Sequence, residues 1–296
     1  MMPKPTLANW LSIAALGLIW GGTFMVVSLA LRGYGPVTVA TARTTLGAVT
    51  LILWALILRR PLPPLTGQLA LSITVIGVLS TALPFFLLSW GLQNVPSAFA
   101  GLSMAAVPLF VLPLAHVFVP GDTMSARKLS GFGLGFIGVM LLIGTDAFTG
   151  GAAALPRLAC VGAALCYAVS AITTRRCPPM DPVVLAAASL VVGSVVLIPI
   201  MLATEGMPAG AAPVPMIAIV VLGLIPTALA TLIRVTVIRT AGPSFLTLVN
   251  YQVPLWSVLF GVMVLDEALP PSFLWALGLI LAGLAISQRR GKGAKR

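Results

Sequence analysis

Apolar residues run through this chain in long unbroken blocks rather than in alternation. Ten blocks stand out, over 7–30, 37–57, 68–91, 96–118, 128–146, 155–174, 182–203, 216–237, 243–265 and 272–288. Each has about the 20 residues that a helix needs to cross a bilayer. Only helices or closed barrels satisfy their backbone in lipid. Several blocks are rich in Gly and Ala, and the alternation of barrel strands is absent, so the blocks are read as helices. The links between them are too short for a soluble domain. Lys4 and Ser28-Leu29-Ala30 imitate a signal peptide and its cleavage site, but the first block far exceeds the roughly 7–15 residues of a signal core. It is read as a true span.

Composition agrees. Of 296 residues, 59% are apolar and 8% charged, against about 25% charged in a soluble domain. That excludes a soluble enzyme, a disordered chain and a secreted disulfide domain. The net charge of +11 is spread in small clusters between apolar blocks, which argues against a nucleic-acid surface. Three cysteines, two of them (Cys160 and Cys166) in one block, give neither a disulfide framework nor a metal site. With the N-terminus inside, thirteen Lys and Arg fall on the inner side, while Arg32 and Arg157 fall outside and Arg43 and Arg234 lie within spans. This positive-inside bias predicts a multi-pass protein of the bacterial cytoplasmic (inner) membrane, with both termini cytoplasmic. The acids Asp146, Glu205, Asp266 and Glu267 then lie outside, and Asp122 and Asp181 inside.

The second half echoes the first. Val107-Pro108-Leu109-Phe110 recurs 146 residues later as Val253-Pro254-Leu255-Trp256, and Pro96-Ser97-Ala98-Phe99 as Pro243-Ser244-Phe245. Asp122 after the fourth span is echoed by Glu267 after the ninth, and Gly133 and Gly138 by Gly278 and Gly283. Five spans per copy turn the second copy upside down. The predicted fold is an all-α membrane protein, ten helices as two inverted five-helix repeats (1–148 and 149–296) around a central cavity. Inverted repeats mark alternating-access transporters, with substrate near the midplane; a duplicated bundle without transport is the other reading. One chain holds both repeats, so a monomer suffices. The basic tail from Arg289 to Arg296 lies on anionic lipid headgroups or only sets topology.

Trp20-Gly21-Gly22-Thr23-Phe24, the paired Val107-Pro108-Leu109 and Val253-Pro254-Leu255, and Asp266-Glu267 followed by Gly278 and Gly283 give the chain its resemblance to a known family. It resembles the ten-span EamA-type branch of the drug/metabolite transporter superfamily over nearly its whole length. The resemblance implies carriage of small metabolites, amino acids among them, and its aromatic amino-acid exporters are the suspected branch.

The candidate substrate-binding residues are Trp20, Phe24, Arg43, Trp90, Met104, Tyr167, Asn250, Tyr251 and Gln252. Pro108 and Pro254 sit mid-span at matched positions and free the carbonyls of Met104 and Asn250. They are read as moving hinges or as static kinks beside the cavity. Asn250-Tyr251-Gln252 precedes one proline and apolar Met104-Ala105-Ala106 the other. Such a polar wall facing an apolar one suits an amphipathic solute, and helix-to-helix hydrogen bonds are the alternative. Trp20 and Phe24 share a helix face with Gly17 and Gly21, and aromatic walls stack ligands. Packing explains any single aromatic equally well, and the interfacial belt explains Trp90.

Arg43 lies about 9 Å into its span at 1.5 Å per residue, without an intramembrane carboxylate to pair with. It clamps a substrate carboxylate or snorkels outward. Arg234, nearer an end, snorkels. His116 is read as an interface residue rather than a proton carrier.

No span carries an interior Asp or Glu, which argues against proton-for-cation antiport and favours a facilitator. The expected function is export of small amphipathic metabolites, most simply aromatic or hydrophobic amino acids, with no cofactor and no catalysis. A lipid-linked-substrate flippase and a proton-coupled drug exporter are the alternatives. An enzyme would need a metal set, paired acids or an activated nucleophile, and no phosphate-binding G-x-x-x-x-G-K-[ST] loop occurs.

Overall fold

The computed structural model describes residues 5–120, 123–144, 154–210 and 212–288. Asp122, Asp146 and the tail from Arg289 lie outside them. The described residues form helices α1 (Leu7–Ala30), α2 (Pro36–Ile57), α3 (Gly67–Gly91), α4 (Ser97–Phe118), α5 (Ala126–Ile143), α6 (Ala154–Arg176), α7 (Pro182–Thr204), α8 (Pro213–Ala241), α9 (Val249–Leu265) and α10 (Pro271–Gln288). All but α9 are by themselves long and apolar enough to cross a membrane. The apolar run 243–265 does not fold as one helix. A short helical turn over Pro243–Leu246 leads into α9, with the break at Thr247 and Leu248.

Capping fixes where several helices begin. The Thr6 side chain accepts from the Asn9 N–H, and Asn9 accepts in return from the Thr6 N–H, a reciprocal cap. Asn9 also donates to Thr240 at 2.6 Å, tying the start of α1 to the end of α8. Two other starts are capped from a distance. The Glu205 carboxylate, just after α7, accepts from the Val37 and Thr38 N–H groups of α2 at 2.9 and 2.8 Å. Glu267, just after α9, accepts from those of Ser97 and Ala98 in α4. Negative charge at these positive helix ends is favourable.

On the opposite face Asp181 caps its own α7 through Val183 and Val184, and pairs with Arg239 at 3.0 Å and Arg60 at 3.5 Å. Equivalent helices are therefore antiparallel: α2 starts where α7 ends, and α4 starts where α9 ends. The two faces are named below for Glu205 and Asp181.

Asp181 gives a pH prediction. Burial alone would raise its carboxyl, but the N–H of Val183, the guanidinium of Arg239, the N–H of Val184 and the charge of Arg60 together hold it below the usual carboxylate value. A depressed folded pKa means stability that is full at neutral pH and is lost as pH falls through that lowered value. Asp181→Asn keeps a capping oxygen and loses the charge that pairs with Arg239 and Arg60; it is expected to cost about 0.5 kcal/mol, the scale of a surface ion pair, at pH 7. Thermal melts should show the variant and the parent converging below the ordinary aspartate range.

The repeats meet through small residues. A side chain at Gly138 of α5 would strike the Ala276 carbonyl and the Ile280 nitrogen of α10, both at 3.0 Å. One at Gly283 of α10 would strike the Gly131 carbonyl and the Gly135 nitrogen of α5, both at 2.5 Å. These two of the four matched glycines let the backbones touch. Gly133 and Gly278 have open space where a side chain would go.

A constellation around Arg43

The site begins with a proline. Pro226 in α8 has no N–H to offer the Leu222 carbonyl, and over Gly223–Leu229 the helix widens into a π segment. Such bulges are frequent at functional sites. The Thr227 hydroxyl donates to the Leu222 carbonyl at 2.8 Å. With its proton spent there, the Thr227 oxygen accepts from Arg43 Nε of α2 at 3.0 Å. The Pro226 carbonyl meanwhile accepts from the indole N–H of Trp20 at 3.3 Å.

Arg43 is only 8% exposed and its guanidinium carbon stands 3.8 Å over the Phe85 ring of α3. A desolvated cation–π pair of this kind contributes about 2 kcal/mol. The side chain turns inward and does not snorkel. Tyr167 of α6 is near enough to interact electrostatically with Arg43, and it packs against both hydrophobic clusters of the core. Among the described residues no carboxylate pairs with Arg43, and its terminal amino groups make no hydrogen bond within the protein. Those amino groups have the geometry to donate to an anion.

The surroundings of Arg43 obey a twofold that its own chemistry breaks. Gly77, Thr81, Ala82 and Leu83 of α3 recur 146 residues on as Gly223, Thr227, Ala228 and Leu229. The first set lies in and beside a second π segment, Val78–Ala82. Gly47 of α2 faces Thr227, and Gly193 of α7 faces Thr81. The residue equivalent to Arg43 is Ser189, whose buried hydroxyl has no hydrogen-bond partner among the described residues. One copy supplies a charge and the other a small hydroxyl.

The remaining candidates are scattered. Phe24 is 5% exposed and would touch any side chain added at Gly101, so it packs α1 against α4. Gln252 lies against Gly17 of α1, 2.6 Å from where a side chain there would begin. Tyr251 donates to Gln288 at 3.1 Å, near the Asp181-face end of α10. Asn250, Met104 and Trp90 are half-buried; Met104 closes the first segment of α4 and Trp90 lies at the end of α3. Pro108 stands where α4 resumes after a break at Ala105 and Ala106, whereas Pro254 lies inside the continuous α9. Arg234 and His116 are exposed.

Two hollows complete the picture. A cleft of about 620 Å³ lies between α3, α4 and α6 in the half toward the Asp181 face. A smaller one of about 190 Å³ lies between α1, α8 and α9 in the other half. Val75, Leu114, Val169 and Ile172 line the first, and their equivalents 146 residues away, Val221, Phe260, Thr23 and Val26, line the second. The pair are twofold mates of unequal size.

This duplicated bundle matches a family model twice: residues 8–144 and 156–288 each fit that of the EamA-like transporter family. The chain belongs to that family. It is 27% identical to the uncharacterized inner membrane transporter YedA of Escherichia coli (strain K12), over 93% of this chain and 89% of that one. It is 28% identical to the uncharacterized transporter YvbV of Bacillus subtilis (strain 168), over 100% and 96%. A probable terminal-alkyne amino-acid exporter of Streptantibioticus cattleyicolor is 27% identical, over 99% and 97%. A crystal structure at 21% identity superposes with a TM-score of 0.66 over 96% of this chain and 98% of that one, which shows the fold. An EamA-like protein of this architecture is a multi-pass membrane transporter.

Phe85 and Thr227 are the parts of this constellation that reading the spans one by one misses. The signal that finds the last is the same 146-residue echo that links the paired prolines.

Proposed function

We propose that this transporter moves small amphipathic carboxylates, most simply aromatic or hydrophobic amino acids, out across the bacterial cytoplasmic membrane by alternating access. The observation that carries the reading is Arg43: a buried guanidinium held by Phe85 and Thr227 with its amino groups unspent. A substrate carboxylate fits those groups. Trp20 and Tyr167 supply aromatic surface beside it, and the relative named as an amino-acid exporter agrees with the class.

The halves 1–148 and 149–296 act as the two repeats, with both termini cytoplasmic and the Asp181 face inward. The groups α3, α4, α6 and α1, α8, α9 exchange roles, so the larger cleft passes from one side to the other. No acid stands within a span, so the cycle needs no proton and the protein works as a facilitator.

Purified protein in liposomes tests this. Labelled phenylalanine, tryptophan and leucine are expected to enter without an imposed ion gradient, while the corresponding decarboxylated amines are not. Uptake that requires a pH gradient, or amines carried as well as amino acids, contradicts the proposal. Trp20→Ala is expected to reduce uptake about tenfold, the scale of one lost hydrogen bond and ring contact. Folded yield should be unchanged by size-exclusion chromatography.

A further inference from the structure

The cleft between α3, α4 and α6 opens sideways as well as toward the Asp181 face. Leu71 is 66% exposed at its rim and Phe118 48%. Its chemistry is graded along the helices. Val75, Leu114 and Val169 line the deep part; Gln68, Ser72, Thr173 and Arg176 gather at the open end. From Val169 to Arg176 is about 10 Å of helix at 1.5 Å per residue. Among the described residues Arg176 is the only charge on the lining. Thr173 spends its hydroxyl on the Val169 carbonyl, whereas among the described residues neither Gln68 nor Arg176 spends a donor within the protein.

The twofold supplies an internal control. The residues equivalent to Gln68, Ser72, Thr173 and Arg176 are Val214, Ala218, Val27 and Ala30. The equivalent helices of the opposite half therefore carry no polar side chain at these four positions. Packing of the fold alone does not call for polar groups here, since the other copy does without them. An apolar slot beside lipid, with one cation and, among the described residues, no acid on its lining, matches a molecule with a hydrocarbon chain and a negative head.

We propose that this cleft is a binding site for one anionic glycerophospholipid. Its acyl chain lies along Val75, Leu114 and Val169, and its phosphate meets Arg176 and Gln68. The site is separate from Arg43 and its test does not depend on transport.

Delipidated full-length protein is mixed with phosphatidylglycerol or phosphatidylcholine of matched chains, and retained lipid is counted by native mass spectrometry. The expected result is one phosphatidylglycerol per chain, retained at least fivefold more than phosphatidylcholine. Arg176→Glu should abolish that preference; Arg176→Gln, which keeps a neutral hydrogen-bond donor and loses the charge, should do so too if the first variant misfolds. Equal retention of the two lipids, or an unchanged preference in both variants, overturns the proposal. Displacement of the lipid by millimolar glycerol 3-phosphate would mean a site for soluble phosphate esters and overturns it as well. So does displacement by a transported amino acid.

Discussion

Replacing Arg43 with glutamine is expected to remove transport of carboxylate substrates while leaving the protein folded. The side chain holds two kinds of contact: Nε to Thr227 and the guanidinium face to Phe85. Glutamine keeps some hydrogen-bonding capacity and loses the charge. Losing one partner of a buried, hydrogen-bonded charge pair costs about 2–5 kcal/mol, which is at least about 30-fold in affinity. Folding should not suffer in proportion, because removing a cation without a carboxylate partner also removes its desolvation cost. Initial uptake rates in liposomes at matched protein content measure the effect. An equal loss for carboxylates and neutral analogues would make Arg43 a structural residue. Thr227→Val should show a weaker form of the same defect, since it leaves the guanidinium in place but free to turn.

The second large effect is on assembly. Gly283→Leu would drive a branched side chain into the α5 backbone at Gly131 and Gly135. Helices joined through small residues cannot yield to such a group without separating. Overpacking usually costs 1–3 kcal/mol, and a clash with backbone on both sides is expected to reach about 3 kcal/mol or more. Gly278→Leu is the matched control: same helix, same substitution, open space around it. The fraction of monodisperse protein in mild detergent should fall severely for the first and hardly at all for the second. Similar yields would mean that α5 and α10 do not meet as described.

The spans were legible because charge is so scarce: most of the long apolar runs are bounded by charged residues, a proline or a glycine. The inner structure of the spans was less so. Nothing in the run 243–265 announces the break at Thr247 and Leu248, since a membrane run records hydrophobicity and not hydrogen-bond register. Arg43 was legible as a lone cation in lipid. Its partners were not, because Phe85 and Thr227 come from distant helices and look apolar or unremarkable where they stand. The trio Asn250-Tyr251-Gln252 suggested one polar wall. Consecutive helical residues point about 100° apart at 3.6 residues per turn, and Gln252 and Tyr251 accordingly meet different helices, α1 and α10. The π segments were written in the sequence as a repeated Gly and Thr, but only the geometry shows what Pro226 and Thr227 do for each other.

The account stands on the two clefts exchanging size as substrate crosses. Spin labels at Leu71 and Phe118 report the mouth of one cleft, and labels at their equivalents, Ile217 and Val264, report the other; all four are exposed. Pulsed distance measurements on both pairs in lipid, with and without a transported amino acid, are the most direct test. The prediction is two populations for each pair, with substrate moving the two pairs in opposite directions. A single distribution for each pair, the same with and without substrate, would contradict alternating access in this protein.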